Sequence, residues 1–257
     1  MSDEIDEAID WRGASVECGR CAHTDLLATG KCQLKRACVH DRYARRIDRF
    51  FNWNPQLADS YVKHPHFEVR AISAKFAGQF LLPALLNDPE ETVRWNAVLR
   101  LPYRYLLKLR SDPHREVRVR VASRLDPVDL PPLMVDKDYY VRRIVAQRAS
   151  PDILAMMASD PEVEVRRVVA NRIGESWLMR MVSDLDAAVR LEVARRLDAT
   201  QLILLMSDPD WRIRHEVATR IAPARLRALQ DDPDPVVREV TRHRLNSLQH
   251  DSKEAVP

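Results

Sequence analysis

All four cysteines of the 257-residue chain fall between positions 18 and 38. Their spacing is Cys18-x2-Cys21-x10-Cys32-x5-Cys38, with Gly19 easing a tight turn inside the first pair. Clustered thiols in a reducing compartment more often hold metal than form disulfides. Four thiolates suit either zinc or an iron–sulfur cluster. The basic neighbours Arg20, Lys31, Lys35 and Arg36 would offset the charge of both, so they do not decide between them. The spacing follows neither common ferredoxin pattern nor a symmetric zinc ribbon, and on the residues alone the metal stays open.

No other set of residues points to catalysis. The eight histidines are scattered; only His64 and His66 are close, in what reads as a turn leading into a helix. With 5 glycines against 16 prolines, no glycine-rich phosphate loop is present, nor His-Glu-x-x-His, nor a nucleophile elbow. A cluster with four cysteine ligands has no open iron for a substrate. The chain is therefore expected not to be an enzyme, although electron transfer stays open. The net charge of +3 is too balanced to require a nucleic-acid partner, yet 34 of the 41 basic residues are arginine. Arginine is the side chain for fixed, multidentate pairing with carboxylate or phosphate. The longest purely apolar run, Leu202 to Met206, is far short of a membrane span, and no membrane association is expected. Met1 to Asp10 carry five acids and no base, unlike a secretory or transit leader, so the expected location is cytoplasmic.

The elements that must position these groups come from a repeat. Val-Arg recurs at Val69, Val93, Val117, Val141, Val165, Val189 and Val237, with Ile213-Arg214 filling the one gap, always 24 residues apart. Taking that residue as position zero, Asp stands five before it in seven units (Asp88, Asp112, Asp136, Asp160, Asp184, Asp208, Asp232), and His64 takes its place in the first. Pro follows in six units. Asp-Pro predicts an N-cap and first helical residue, so a helix of about a dozen residues is expected to begin at each Pro. In most units positions zero, +4, +5 and +8 are aliphatic or Ala, and they share one arc of the helical wheel; the last unit has Arg242 at +5. Leucine or methionine pairs at −11 and −8 predict a short α turn or 3-10 helix between the long ones. No stretch alternates with the period of a strand. The terminal units are atypical, as solenoid ends must be to cover exposed core. Residues 1 to about 15 and 251–257 read as frayed tails.

Two arginine columns run through the array. One lies at +1 (Arg70, Arg94, Arg118, Arg142, Arg166, Arg190, Arg214, Arg238) and the other at +7 (Arg100, Arg124, Arg148, Arg172, Arg196, Arg220, Arg244). The first falls inside the apolar arc. A buried charge needs a partner, and the Asp column and helix-end carbonyls are the candidates. A phosphate-binding stripe is the alternative, with more room for it in the second column. Positions +2 and +6 vary from unit to unit, and Tyr139, Tyr140 and Trp211 stand near helix starts; these are the candidate contact residues.

A repeat of the form Leu-x-x-Leu-x-x-Asp-Pro-x-x-x-Val-Arg-x-x-Val-Ala-x-Arg-Leu, seen from Leu202 to Ile221, resembles the leucine-rich repeat variant family. The resemblance covers nearly the whole chain, cysteines first and then eight repeats. It implies an all-α, right-handed solenoid of alternating α and short 3-10 helices with a small N-terminal four-cysteine domain. In one branch of the family that domain holds a [4Fe-4S] cluster. By this resemblance Cys18, Cys21, Cys32 and Cys38 are the cluster ligands, with zinc as the alternative, and the domains are 1–50 (cluster), 51–250 (eight 24-residue units) and 251–257 (tail). Phe50, Phe51 and Trp53 would then dock the cluster domain on the first repeat. The expected role is a scaffold binding a protein partner, the cluster mainly structural. A redox-active or redox-sensing cluster and a nucleic-acid-binding solenoid are the alternatives.

Overall fold

The structure is a computed structural model that describes residues 7–254, with side chains to Leu248. Two compact units divide it, Met1–Asp129 and Leu130–Pro257. Among the described residues every regular element is an α-helix or a 3-10 helix; backbone pairing of strand type is limited to three isolated bridges.

The N-terminal unit opens on the cysteine-bearing segment. A short helix, Thr24–Ala28, is followed by turns that carry Cys32 and Cys38, and then by the helix Ala44–Trp53. That helix buries Ile47, Phe50 and Phe51. Residues 8–16, expected as part of a frayed tail, are instead strapped down. Ile9 pairs with Ser15, Asp10 pairs with Asp41, and the Arg42 N–H donates to the Ile9 carbonyl at 3.0 Å. The anchor is Asp41, wholly buried, which accepts from Arg46 Nη1 at 2.9 Å. At the other end, residues 251–254 of the expected tail belong to the last helix, Pro235–Glu254. The tail residues 1–6 and 255–257 lie outside the described residues.

The repeats follow. Three long helices belong to the first unit: Phe67–Ser73, Glu91–Val98 and Arg115–Arg124. Five belong to the second: Tyr139–Arg148, Val163–Arg172, Ala187–Arg196, Trp211–Arg220 and Pro235–Glu254. Between them run short pieces, some 3-10 (Leu82–Leu85, Gln201–Leu205), one α (Pro151–Met156), others an α turn running into 3-10 (Glu175–Leu178 then Met179–Met181). The residues at zero, +4, +5 and +8 are the core, as in Val165, Val169, Ala170 and Ile173, closed from the short-helix side by Leu154 and Met157. Burying each large aliphatic contributes roughly 1.5–3 kcal/mol. The same six positions repeat from unit to unit, so stability accrues repeat by repeat.

The long helices begin two residues later than the Asp-Pro pairs predict. In the fourth unit Asp136 precedes the helix start at Tyr139 by three residues, and the N-cap is Asp138. The carboxylate of the Asp column instead bonds the backbone N–H two residues on, as Asp160 Oδ1 does from Glu162 at 2.9 Å. It shapes a turn rather than a cap. Where an Asp stands at the N-cap, its side chain caps: Asp138, Asp186 and Asp210 accept from the N–H groups of Tyr140, Ala188 and Arg212, whereas Glu90 and Glu162 at the same position make no such bond.

The Asp column is displaced from capping because it receives the first arginine column. Arg70, Arg94, Arg142, Arg166, Arg190 and Arg214 each present Nε and Nη2 as a fork to the carboxylate 18 residues on, in the next repeat. Distances are 2.7–3.0 Å, the range of charge-assisted bonds. The remaining Nη1 turns back to the carbonyl at −5 of its own unit, as Arg94 does to Asp88 at 2.7 Å, and Arg118 likewise donates to Asp112. The second column points the other way along the array. Arg100, Arg172, Arg196, Arg220 and Arg244 donate to the +5 carbonyl of the preceding repeat, for Arg172 that of Ala146 at 2.6 Å. Arg124 does the same to Val98. Cations are thereby seated at helix C-termini, where carbonyls lack amide partners.

Candidate metal centre

The four cysteines are brought into one neighbourhood, and none forms a disulfide. Cys18 belongs to a 3-10 turn, Cys18–Arg20, and Cys21 closes that turn by donating its N–H to the Cys18 carbonyl at 3.2 Å. Both side chains are half-buried, whereas Cys32 and Cys38 are buried. Cys32 is placed by the turn that ends Thr24–Ala28, its N–H donating to the Leu26 carbonyl; Gly30, at φ 74°, supplies the left-handed step there. A tight loop with the bridge Gln33–Ala37 then carries the chain to Cys38.

Electrostatics reflect the proximity. Burial pushes the Cys32 thiol up, and the neighbouring Cys21 and Cys18 add to the shift, while a hydrogen bond with Cys38 opposes it. Burial pushes Cys38 up to about 12. Without metal these inner thiols hold their protons at neutral pH, so binding a metal must release them. Among the described residues no group of three or more His, Cys, Asp and Glu side chains is set to hold a metal ion. A cage of several iron and sulfide atoms needs its thiolates farther apart than one ion does. An all-sulfur donor set, with Cys32 and Cys38 buried, fits such a cage. When bound, a cluster of this type supplies one-electron chemistry.

A ring network that the sequence did not disclose joins this site to the first repeat. His23 Nε2 and the Tyr61 hydroxyl share a hydrogen bond, across 38 residues of sequence. The His23 ring also lies near those of His40 and Phe50, with centroids 6.3 and 5.4 Å away. Tyr61 stands at −8, a position otherwise held by Leu or Met, so its departure from the pattern was the available signal. Burial, and then the charges of Cys21, Cys38 and Cys32, push its phenol up to about 12. Burial lowers His23, which favours the neutral ring in this bond. Phe51 packs against Tyr61 and Phe76 as the docking expectation requires. Trp53 does not share in that contact; it is half-buried with the Arg36 guanidinium 5.8 Å from its ring. Trp11 stacks on His66 at 5.5 Å, covering the turn where His64 replaces the usual Asp.

Residues 8–60 match the family described as LRV protein FeS4 cluster, and residues 139–162 match the leucine rich repeat variant. A solved structure described as a leucine-rich repeat variant with a novel repetitive protein structural motif aligns with TM-score 0.86 and 39% identity, covering 90% of this chain and 99% of that one. The chain belongs to the LRV proteins with an N-terminal FeS4 cluster domain. An uncharacterized 27.7 kDa protein of the nifB 3' region in Rhodobacter capsulatus is 52% identical over 96 residues. That alignment spans 37% of this chain and 39% of the relative. The LRV fold accounts for the alternation of α and 3-10 helices, and the cysteine-rich segment of this LRV protein is an iron–sulfur cluster domain. Among the described residues no helix of the LRV chain is long and apolar enough to cross a membrane.

Proposed function

We propose that this iron–sulfur LRV protein is a scaffold that binds a protein partner through its repeats and is not an enzyme. Cys18, Cys21, Cys32 and Cys38 hold the cluster, which serves mainly to organise the N-terminal cap. The observation that carries this reading is the fate of the arginines. Arg70, Arg94, Arg142, Arg166, Arg190 and Arg214 are forked to carboxylates, and six arginines of the second column are seated on carbonyls. Groups so engaged are poor phosphate ligands, because each phosphate contact would first break a partly buried pair. The exposed positions that differ from unit to unit are Lys75, Leu99, Gln147, Asn171, Arg195 and His243 at +6, with Tyr139 and Trp211 near helix starts.

The test has two arms. A photo-reactive residue at exposed repeat positions should cross-link a protein in anaerobic extracts of the native host. A random-sequence DNA duplex should bind weakly at physiological salt. Tight duplex binding with a steep salt dependence would move the reading to nucleic acid.

A second reading, an electron-exchanging cluster, is favoured by the half-buried Cys18 and Cys21. A pocket of about 220 Å³ lined by Trp11, Arg20, Cys21 and His40 opens at that edge. An anaerobic redox titration followed by electron paramagnetic resonance checks it, and a potential outside the physiological range would dismiss it.

A further inference from the structure

We infer, resting on the scaffold reading, that the last repeat carries a binding site for a carboxylate side chain of a protein partner. Arg238 and Arg242 receive the acid, and Leu245 supplies apolar contact beside them.

The site is the open end of the arginine ladder. Arg238 seats Nη1 on the carbonyls of Asp232 and Pro233 at 2.6 and 3.0 Å, as Arg214 does on those of Asp208 and Pro209 at 2.7 and 3.2 Å. In Arg214 that grip leaves Nε and Nη2 as a fork, and Asp232 of the next repeat fills it. Five more arginines of the array are filled in the same way. For Arg238 the residue 18 positions on is Val256. The helix Pro235–Glu254 runs on past +7, where the four preceding long helices end. Arg238 Nε and Nη2 make no hydrogen bond or ion pair among the described residues.

The rest of that face departs from the repeat. Position +5 is fully buried in the other seven units, six times as Ala and once as Val98. It lies at the junction with the following repeat, since the Ala218 carbonyl accepts from Arg244. In the last unit it is Arg242, exposed and without an ion pair among the described residues. An arginine there prevents the close approach that stacking of a further repeat requires. It also adds a second cation one helical turn from Arg238. Position +8 is at most 1% exposed in the other units, but Leu245 is only half-buried. Arg238, Arg242 and Leu245 stand at i, i+4 and i+7 of one helix and so share a face.

Chemistry selects the occupant. The ladder shows six times what this fork binds, an aspartate carboxylate accepting from Nε and Nη2. Acids also stand near it. Asp231 and Glu239 are exposed, and Asp234 accepts from the Val236 N–H. None pairs with Arg238 or Arg242 among the described residues. An extended polyanion would meet these acids as like charges, whereas a single carboxylate in the fork is matched by the two arginines. A second copy of this chain offers no acid in ladder register, because its first unit has His64 in the Asp place. The occupant is therefore a loop of another protein that presents Asp beside an apolar side chain.

The test uses the full chain with its cluster and a fluorescent cyclic peptide copying the acceptor turn from Leu205 to Asp210, Leu-Met-Ser-Asp-Pro-Asp. Controls are the same peptide with Asn in place of Asp208, and single-stranded oligothymidine. The wild-type chain should bind the Asp peptide roughly tenfold more tightly than the Asn peptide, and should not bind oligothymidine. Arg238→Lys keeps the charge, loses the fork and should weaken binding by roughly tenfold. Arg242→Ala should weaken it too, and should fold because six units already hold Ala there. On titration the Arg238 Nε–H resonance of the wild type should move downfield, which a purely structural role would not produce. Should Arg238→Lys melt early, that resonance and Arg242→Ala decide. No binding of the Asp peptide, equal binding of the Asn peptide, or preference for oligothymidine overturns the inference. A photo-cross-linker at position 248, compared with one at position 99, separates this site from the wider reading. Cross-links at 99 alone would sink the site and keep the scaffold, whereas none at either would sink both. Cross-links at 248 that map to an Asp-bearing loop and vanish in Arg238→Lys support the inference.

Discussion

Arg94 Nε and Nη2 donate to the two carboxylate oxygens of Asp112 at 2.7 and 2.9 Å, 18 residues apart and both buried. The pair spans two repeats of the N-terminal unit, and its counterparts Arg142–Asp160, Arg166–Asp184, Arg190–Asp208 and Arg214–Asp232 do so in the C-terminal unit. Each arginine also holds its own unit's turn through Nη1. One side chain thereby fixes both the turn geometry and the step to the next unit, which explains why Val-Arg and Asp-Pro recur in lockstep.

Removing one partner strands the other. Arg94→Ala should destabilise the array by about 3 kcal/mol, because the buried Asp112 carboxylate is left uncompensated. Replacing both, with Asp112→Ala, should cost clearly less than the sum of the two single changes. Denaturant melts of the four proteins check this, and additive costs would mean that the pair contributes no coupling.

The ladder should also give an acid limit to stability. The Arg214 fork holds the Asp232 carboxyl below its usual range. For Asp88 burial acts upward, but the bonds from Arg70 and the Glu90 N–H outweigh it and the net direction is again down. A depressed folded value contributes stability that is complete above the unfolded value, near 3.9, and is lost as pH falls through the folded one. Thermal stability should therefore hold to about pH 5 and fall below about 4, and the fall should be shallower in Asp232→Asn. An identical slope in that variant would show that the pair carries no proton linkage.

The second arginine column makes a separate prediction. Arg172→Met keeps the apolar stem and removes the donor to the Ala146 carbonyl, at a cost of about 2 kcal/mol. The loss should appear as faster hydrogen exchange at the C-terminal end of Tyr139–Arg148, the helix before the substituted one. Faster exchange only in Val163–Arg172 would contradict the backward reach of this side chain.

Tyr61 couples the first repeat to the cluster domain through His23. Tyr61→Leu restores the repeat pattern and should leave the core of the first unit intact while loosening the cap. Exchange across residues 18–40 should quicken and the cluster should bleach sooner in air than in wild type. Wild-type behaviour in both measurements would make the His23 bond dispensable.

Much of this was legible from residue types alone. The 24-residue register fixed the long helices, their buried positions and the arginine partners, because core and ladder residues are the ones a repeat cannot vary. The helix starts were misplaced by two residues because Asp-Pro resembles a cap, and nothing local says that an arginine 18 residues earlier claims the carboxylate. The strap at residues 8–16 was missed because its anchors, Asp41 and Arg46, lie about 30 residues away and leave no periodic trace. The His23–Tyr61 bond is likewise a contact between two non-repeating residues, visible in sequence only as a tyrosine where leucine belongs.

If Cys18, Cys21, Cys32 and Cys38 together hold the cluster that caps this array, each of them is required for it. Iron and acid-labile sulfide per chain, measured on anaerobically purified wild type and on each Cys→Ser variant, test it most directly. Wild type should hold about four of each and show broad absorbance near 400 nm, with loss in all four variants. One zinc and no sulfide in wild type, or full iron retained after Cys38→Ser, would contradict it.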